Sequence, residues 1–394
     1  MFSRRYPRAY VLACAMLLTG VMSATAGASP LFPTDTLDGP WDRSVAQRAA
    51  SEGADAPYTV VAHGLRNPRG LTIGRDGTVY VAESGRGGSS CQDTDFGEVC
   101  TGLTGSVTAI DEAGQRRVLL GLPSYAERAG FAANGPHDVA VRGKRVAVTV
   151  GLGDTPRFRR ELGPQMGLLG HVVTLRADET LHARDLARHT ARVNADGGGR
   201  DSNPHGIVWT RRGKFVTDAG GNSLARMTAH KRTKTVAVFP RREVDIPEEF
   251  GGGTIPMDPV PTAVVKGHGR SLYVGTFTGF PFPQGGARVY RVVPGQRPRV
   301  VYRGLTAVID MAVGPDGSLY LVEFVTAGLL AANPEDPSTL GGRIVRIAPD
   351  GTRSTIGEGS LVVPGGVAVA NNGDVYVSNL SVLPDGQVVR FDAE

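Results

Sequence analysis

The stretch "NPRGLTIGRDGTVYVAES", residues 67–84, decides the fold, because two apolar runs flank a turn that contains Asp76 and Gly77. A Pro precedes the first run, and an aromatic residue lies in the second. Asp and Gly supply the positive φ angles that a two-residue hairpin turn demands. The stretch therefore predicts a β-hairpin.

Five later segments repeat this organisation. They are "GPHDVAVRGKRVAVTVG" (135–151), "NPHGIVWTRRGKFVTDA" (203–219), "VPTAVVKGHGRSLYVGTF" (260–277), "VIDMAVGPDGSLYLVEF" (308–324) and "PGGVAVANNGDVYVSNL" (364–380). The equivalents of Arg69 are then His137, His205, Thr262, Ile309 and Gly365, at spacings of 68, 68, 57, 47 and 56 residues. The irregular spacing indicates one repeated motif with loops of variable length. An aromatic column in the second strand is expected to pack between neighbouring sheets; it comprises Tyr80, Phe215, Tyr273, Tyr320 and Tyr376.

Most copies continue into a third and a fourth strand, as in "SVTAIDEAGQRRVLLGL" and "ARVYRVVPGQRPRVVYRGL". Six four-stranded antiparallel sheets predict an all-β, six-bladed β-propeller. The sixth copy ends with its third strand, "GQVVRFDAE", so we expect "YTVVAHGL", residues 58–65, to complete the last blade and close the ring. The segment "ARDLARHTARVNADGG" (183–198) has helical spacing and predicts a short helix between the second and third blades.

The N-terminus has the order of a secretory signal peptide, since a basic start precedes an apolar run and a segment of small residues. We predict a signal peptide over residues 1–28, a linker over 29–56 and the propeller over 57–394. The apolar run is too short to be a convincing membrane span, so the mature protein is expected to be secreted and to lack one.

Removal of the signal peptide lowers the formal net charge from +5 to +2, because it takes away Arg4, Arg5 and Arg8. The basic composition is therefore weak evidence for an anionic partner, and we expect no binding to nucleic acid. Cys91 and Cys100 then remain, nine residues apart. In an exported chain this pair predicts a disulfide within a loop. We expect a monomer.

Two columns of residues should meet at one mouth of the central channel, because the innermost strand begins where the second strand ends. The first column contains Arg69, His137 and His205, with Asp138 and Asp310 beside it. Long insertions fall at the same end, which predicts a ligand site there. The second column offers polar groups at four positions, Glu83, Asp218, Glu323 and Asn379. These four either ligate Ca²⁺ through their oxygens or accept hydrogen bonds from turn amides.

The segments "NPRGLTIGRDGTVYVAESGRGG", "SNPHGIV", "YVGTFTGFPFPQGGARVYRV" and "IDMAVGPDGSLYLVE" together resemble the ScyD/ScyE family over about residues 57 to 392. The resemblance implies a secreted six-bladed propeller of the TolB-like or NHL-like kind. It does not define a reaction.

Three functions follow as hypotheses. The first is a secreted propeller that binds a small molecule, a glycan or a protein at the loop-rich face. The second is a Ca²⁺-dependent hydrolase that resembles lactonase propellers, with a bound water as nucleophile. The third resembles a quinone-dependent sugar dehydrogenase, with His137 or His205 as base and Arg69 over the cofactor. The sequence contains no G-x-S-x-G, H-E-x-x-H, phosphate-loop or C-x-x-C motif that would select among them.

Overall fold

A computed structural model describes residues 57–94, 97–228, 232–334 and 336–393. The predicted signal peptide and linker lie outside these residues. The described chain forms six radially arranged antiparallel sheets, which confirms the predicted six-bladed propeller.

Strands are numbered along the chain, and each blade is given from its innermost strand outwards. The first blade is β2 (Pro68–Ile73), β3 (Val79–Glu83), β5 (Gly97–Asp111) and β6 (Gly114–Ala126); the second is β7 (Pro136–Arg142), β8 (Arg145–Val150), β9 (His171–Leu175) and β10 (Leu181–Asp185); the third is β11 (Pro204–Thr210), β12 (Gly213–Asp218), β13 (Ser223–Met227) and β14 (Thr233–Val238). The fourth is β17 (Pro261–Lys266), β18 (Leu272–Thr276), β19 (Ala287–Val292) and β20 (Arg299–Leu305); the fifth is β21 (Val308–Val313), β22 (Leu319–Glu323), β23 (Gly341–Ile347) and β24 (Arg353–Val362); the sixth is β25 (Gly366–Val369), β26 (Val375–Asn379), β27 (Gly386–Phe391) and β1 (Thr59–Leu65).

Several smaller elements are additional to the six blades. The strand β4 (Ser90–Thr94) pairs with the start of β5, and β15 (Arg242–Asp245) forms a hairpin with β16 (Thr254–Met257). The helices are α1 (Phe158–Glu161), α2 (Leu186–Val193) and the 3-10 turns Pro164–Met166, Glu248–Phe250 and Pro337–Leu340. The helix α2 lies within the segment that predicted one. No helix among the described residues is long and apolar enough to cross a membrane.

The N-terminal strand closes the ring as predicted. It pairs antiparallel with the last strand, from Thr59 opposite Arg390 to Leu65 opposite Gly386. Hydroxyl groups also tie neighbouring blades together: Ser378 donates to the Arg69 carbonyl at 2.7 Å, and Thr217 to the Thr262 carbonyl at 2.9 Å. Apolar side chains between adjacent sheets form the core, and the aromatic column packs there.

The turns between first and second strands differ from the prediction in four blades. Two-residue turns occur in the second blade, where Arg142 pairs with Arg145, and in the third, where Thr210 pairs with Gly213. In the first blade Ile73 pairs with Val79, which leaves a five-residue turn, and the other three blades have the same length. The Asp76 carboxylate accepts a hydrogen bond from the Thr78 amide at 3.2 Å and stabilises this longer turn.

The predicted disulfide between Cys91 and Cys100 is present. The two residues lie directly opposite each other in β4 and β5, so the segment that was predicted as a loop is a β-hairpin. The disulfide therefore cross-links the two arms of this hairpin.

Candidate functional site at the central channel

The two predicted columns lie at one end of the channel. Pro68 pairs with Glu83, and Pro204 pairs with Asp218, so the start of each innermost strand lies beside the end of the second strand. We call this end, where the innermost strands begin, the loop end. The opposite end, where the innermost strands turn back, is the turn end.

His137 and His205 are adjacent at the loop end, with ring centroids 4.7 Å apart and planes inclined by 39°. The Nδ1 of His137 lies 3.1 Å from the Pro204 carbonyl oxygen, and that of His205 lies 3.1 Å from the Thr262 carbonyl oxygen. A carbonyl can only accept, so both Nδ1 atoms carry the proton when the rings are neutral. Each Nε2 is then left with a lone pair that can accept a hydrogen bond or bind a metal.

Both histidines are neutral at physiological pH. Burial and the positive charge of Arg69 lower the pKa of His205 to about 3. Burial, followed by the effects of His205 and Arg69, also lowers the pKa of His137 well below its usual value. The pair is therefore a permanent hydrogen-bond acceptor at neutral pH and not a cation.

Arg69 is only 3% exposed and carries the buried positive charge of this end. Its Nε donates to the Ser84 hydroxyl at 3.2 Å, and its Nη2 donates to the Ala133 carbonyl at 2.9 Å. Burial lowers the pKa of Arg69 to about 9, which still leaves it protonated at pH 7. Within the described residues Arg69 makes no ion pair, so no acidic side chain neutralises its charge there.

Asp138 and Asp310 lie one residue further along the innermost strands of the second and fifth blades, which face each other across the ring. Each carboxylate accepts a hydrogen bond from the next blade: Asp138 from the Ile207 amide at 2.7 Å, and Asp310 from the Val367 amide at 3.0 Å. Burial raises both pKa values, that of Asp310 to about 7, and the charge of Asp310 raises that of Asp138 further. The pair therefore holds a proton more readily than ordinary carboxylates do.

Two buried amides at the loop end were not identified from the sequence. Asn134 Oδ1 and Asn203 Nδ2 are buried and have no hydrogen-bond partner in the described part of the chain. A Cβ on Gly151 would clash with Asn134 and with the His137 ring, and would lie 2.7 Å from Asn203 Oδ1, so these groups converge on one point. The signal was the Asn before each Pro-His pair, in "NGPH" and "SNPH".

The second column holds the entry loops of the innermost strands. Each polar group accepts a hydrogen bond from a backbone amide in such a loop or at the end of the strand before it, at 2.7 to 2.8 Å: Glu83 from Arg66, Asp218 from Asn203, Glu323 from Thr306 and Asn379 from Val362. Glu83 also pairs with Arg117, and Glu323 with Arg343, at 2.9 and 2.8 Å. These contacts fix the loops that carry the first column.

The carboxylate oxygens of Glu83, Asp218 and Glu323 do not form a group within 4.8 Å of one another. Across the described chain, the group of three potential metal ligands at that spacing is Cys91, Glu98 and Cys100. Its two sulfurs form the disulfide, so they are not thiolate ligands. A Ca²⁺ ion at the second column would have to replace the hydrogen bonds that these acidic groups already make.

Comparison with known proteins supports the fold and leaves the family undefined. No protein-family model matches the chain, and no curated protein matches it. A solved structure of a glucose dehydrogenase is similar, with a TM-score of 0.50, 14% identity and coverage of 86% of this chain and 99% of that one. Virginiamycin B lyase from Staphylococcus aureus is also similar, with a TM-score of 0.46, 11% identity and coverage of 84% of this chain and 98% of that one. The PQQ-bound aldose sugar dehydrogenase from Streptomyces coelicolor has a TM-score of 0.46, with 12% identity and coverage of 84% and 96%.

These structure neighbours are six-bladed β-propeller proteins. The glucose dehydrogenase, at 14% identity and a TM-score of 0.50, agrees with the fold of this chain and shows nothing finer. Membership of the ScyD/ScyE family accordingly stays a prediction from the sequence.

Proposed function

We propose that this protein is an exported binding propeller that holds a small hydroxylated molecule, of the sugar or sugar-acid class, at the loop end of its channel. The observation that carries the proposal is the buried set of incompletely bonded polar groups around His137 and His205. Leaving a buried polar group unpaired costs about 1–3 kcal/mol, so a ligand or water that satisfies several such groups is strongly favoured.

The chemistry of the set matches hydroxyl groups. The two Nε2 lone pairs accept hydrogen bonds, and Arg69 and Asn203 Nδ2 donate them. A polyol presents donors and acceptors on adjacent carbons, and a carboxylate would in addition neutralise Arg69. Asp138 and Asp310 extend the polar surface by one residue along the channel.

The disulfide supports the exported location, since disulfides persist in oxidising compartments. No contact in the described chain favours the Ca²⁺-dependent hydrolase or the quinone-dependent dehydrogenase over a protein that only binds its ligand. A monomer remains our expectation for the assembly.

The test is a thermal-shift panel of aldoses, aldonates, uronates and sugar lactones against the wild-type protein, His137→Ala and His205→Ala. A ligand at 100 times its Kd stabilises the native state by about 2.7 kcal/mol, which raises the wild-type Tm. Both histidine variants should lose that rise. His182→Ala is the matched control, because His182 is exposed on the outer strand of the second blade, and it should keep the rise. The proposal fails if no compound raises the Tm of the wild type by more than it raises the Tm of His137→Ala.

A further inference from the structure

A cavity of about 920 Å³ lies at the turn end, away from the ring of Arg69, His137 and His205. The turns that follow the innermost strands of the first four blades line it. The ends of β2, β7, β11 and β17 meet at this cavity, so it is the second mouth of the channel. Concave sites with converging polar groups are the usual places for ligands.

The lining of this cavity is strongly basic. Exposed cations from four separate turns contribute to it: Arg75, Arg142, Lys144, Arg211, Arg212 and Arg270. None of these side chains forms an ion pair with another described residue. Asp76 is the one acidic lining residue, and its carboxylate accepts a hydrogen bond from the Thr78 amide.

The turns of the fifth and sixth blades have the opposite character. Asp316 pairs with Arg346 at 2.6 Å, and Asp374 lies 3.9 Å from Arg390. The cations that line the cavity therefore come from one arc, which covers the first four blades. Six like charges gathered in a concave site that contains a single acidic residue create a local positive potential that concentrates anions.

Trp209 lies in the wall of the cavity between cations. The Lys214 ammonium is 4.4 Å and the Arg145 guanidinium 5.1 Å from the centre of its ring. Burial and the nearby charges of Arg184, Arg145 and Arg176 lower the pKa of Lys214 to about 8. Because cations occupy the ring, Trp209 is a poor platform for a stacked base. The lining therefore favours a ligand that is bound through its charge.

We propose that this basic arc binds a ligand that carries several phosphate groups. Arginines predominate in the arc, and the planar guanidinium matches phosphate oxygens in a bidentate fashion. Cations from separate turns would contact separate phosphates at once, so a multiply phosphorylated ligand is favoured over a single phosphate. The site does not depend on the ligand proposed for the loop end.

Trp209 can report on binding directly. The chain has two tryptophans, so Trp41→Phe leaves Trp209 as the single reporter. We would titrate this full chain with inositol hexakisphosphate, with long-chain polyphosphate and with orthophosphate, follow Trp209 fluorescence, and repeat each titration by calorimetry. Binding of either multiphosphate, with orthophosphate far weaker, is the expected result. The better of the two multiphosphates identifies a small molecule or a polymer as the source.

Matched variants locate the binding. Arg75→Ser, Arg211→Ser, Arg212→Ser and Arg270→Ser together should weaken the affinity for multiphosphate about 100-fold, because several charge-assisted contacts are lost. A control with the same change in charge combines Arg192→Ser, Arg291→Ser, Arg297→Ser and Arg299→Ser, which are exposed outside the cavity. Equal affinities of the two variants, no binding of either multiphosphate, or equally tight binding of polygalacturonate would overturn the proposal.

Discussion

The polar side chains at the two ends of the channel differ in how deeply they are buried and in how many partners they have. At the loop end Arg69, His137 and Asp138 are buried, and backbone groups of neighbouring blades hold each of them in one orientation. At the turn end Arg211 and Arg270 are exposed and unpaired within the described chain. As proposed above, a buried, oriented set would select a ligand by its shape, whereas an exposed cluster would select one by its charge. The two ends should therefore respond very differently to substitution.

The largest effect on stability is expected at Glu83, whose carboxylate holds the entry loop of the first blade at the loop end. Glu83→Ala would leave the Arg66 amide and the hydroxyls of Ser106 and Thr108 without their acceptor, and would free the partly buried Arg117. Removal of one partner of a fully buried pair costs about 3–5 kcal/mol, and we expect the lower end of that range because the Arg117 side chain is 31% exposed. Guanidinium unfolding should show a fall in the free energy of unfolding of that order.

The control for Glu83 is Asp111→Ala, which breaks an exposed pair with Arg116 in the same blade and an exposed hydrogen bond from the Ala113 amide. Exposed ion pairs contribute little, so this variant should unfold close to the wild type. If the two variants lose equal stability, the second column does not fix the entry loops.

A pH-dependent effect follows from the channel carboxylates. The pKa of Asp310 is raised to about 7, so the folded protein binds more protons than the unfolded chain between about pH 4 and 7. Stability therefore falls as pH rises through this window, by up to about 1.4 kcal/mol per pH unit for one group. Asp310→Asn should remove this loss, so its stability relative to the wild type should increase from pH 4 to 7. Asp138 titrates together with Asp310, and its own pKa should fall in the variant.

Urea unfolding at several pH values measures this difference. Asp316→Asn serves as control, because hydrogen bonds from Ser318 and Arg346 lower the pKa of Asp316 to about 2. Its contribution is constant above about pH 5 and is lost only as the pH falls towards 2. A parallel pH profile for Asp310→Asn and the wild type would contradict the raised pKa.

A somewhat smaller effect is expected at Gly151, where the polar groups of the loop end converge. An Ala there forces its Cβ against Asn134 and the His137 ring, and overpacking of this kind costs about 1–3 kcal/mol. Gly341→Ala is a fair comparison, since the nearest atom to its Cβ would be 3.9 Å away. Thermal unfolding should rank Gly151→Ala well below Gly341→Ala. Equal Tm values would mean that the groups around Gly151 can move apart, and the loop end would then not be preorganised.

The sequence predicted the scaffold because repeated hairpins have a local signature. The Pro entry, the apolar runs and the turn residues recur six times, and the missing outer strand of the last blade pointed to residues 58–65. The turn lengths were less certain, since side-chain hydrogen bonds such as that of Asp76 favour a longer turn that residue types alone do not distinguish.

The sites were harder to predict, because their character depends on partners distant in sequence. The acidic residues of the second column fitted either Ca²⁺ or turn amides until their donors were known. Asn134 and Asn203 belong to no catalytic or metal-binding motif, so the sequence assigned them no role. The basic arc was not predicted for a different reason: the formal net charge of +5 averages over the whole chain, and "RGKR" and "TRRGK" were interpreted only as hairpin turns. Whether cations cluster on a surface depends on which turns lie next to each other, and that is known only from the folded structure.

The smallest effect on stability is expected at the basic arc. Substitution of Arg75, Arg211, Arg212 and Arg270 by Ser should change the free energy of unfolding by no more than about 0.5 kcal/mol per site, because exposed side chains without partners contribute little to the folded state. At low ionic strength the variant should even be slightly more stable, since mutual repulsion is relieved, and this gain should vanish at high salt as the charges are screened. Urea unfolding at two salt concentrations measures both effects. A salt-independent loss of several kcal/mol in the free energy of unfolding would show that these arginines hold the turns in place. The turn end would then depend on its polar side chains for stability as the loop end does, and the contrast between the two ends would be wrong.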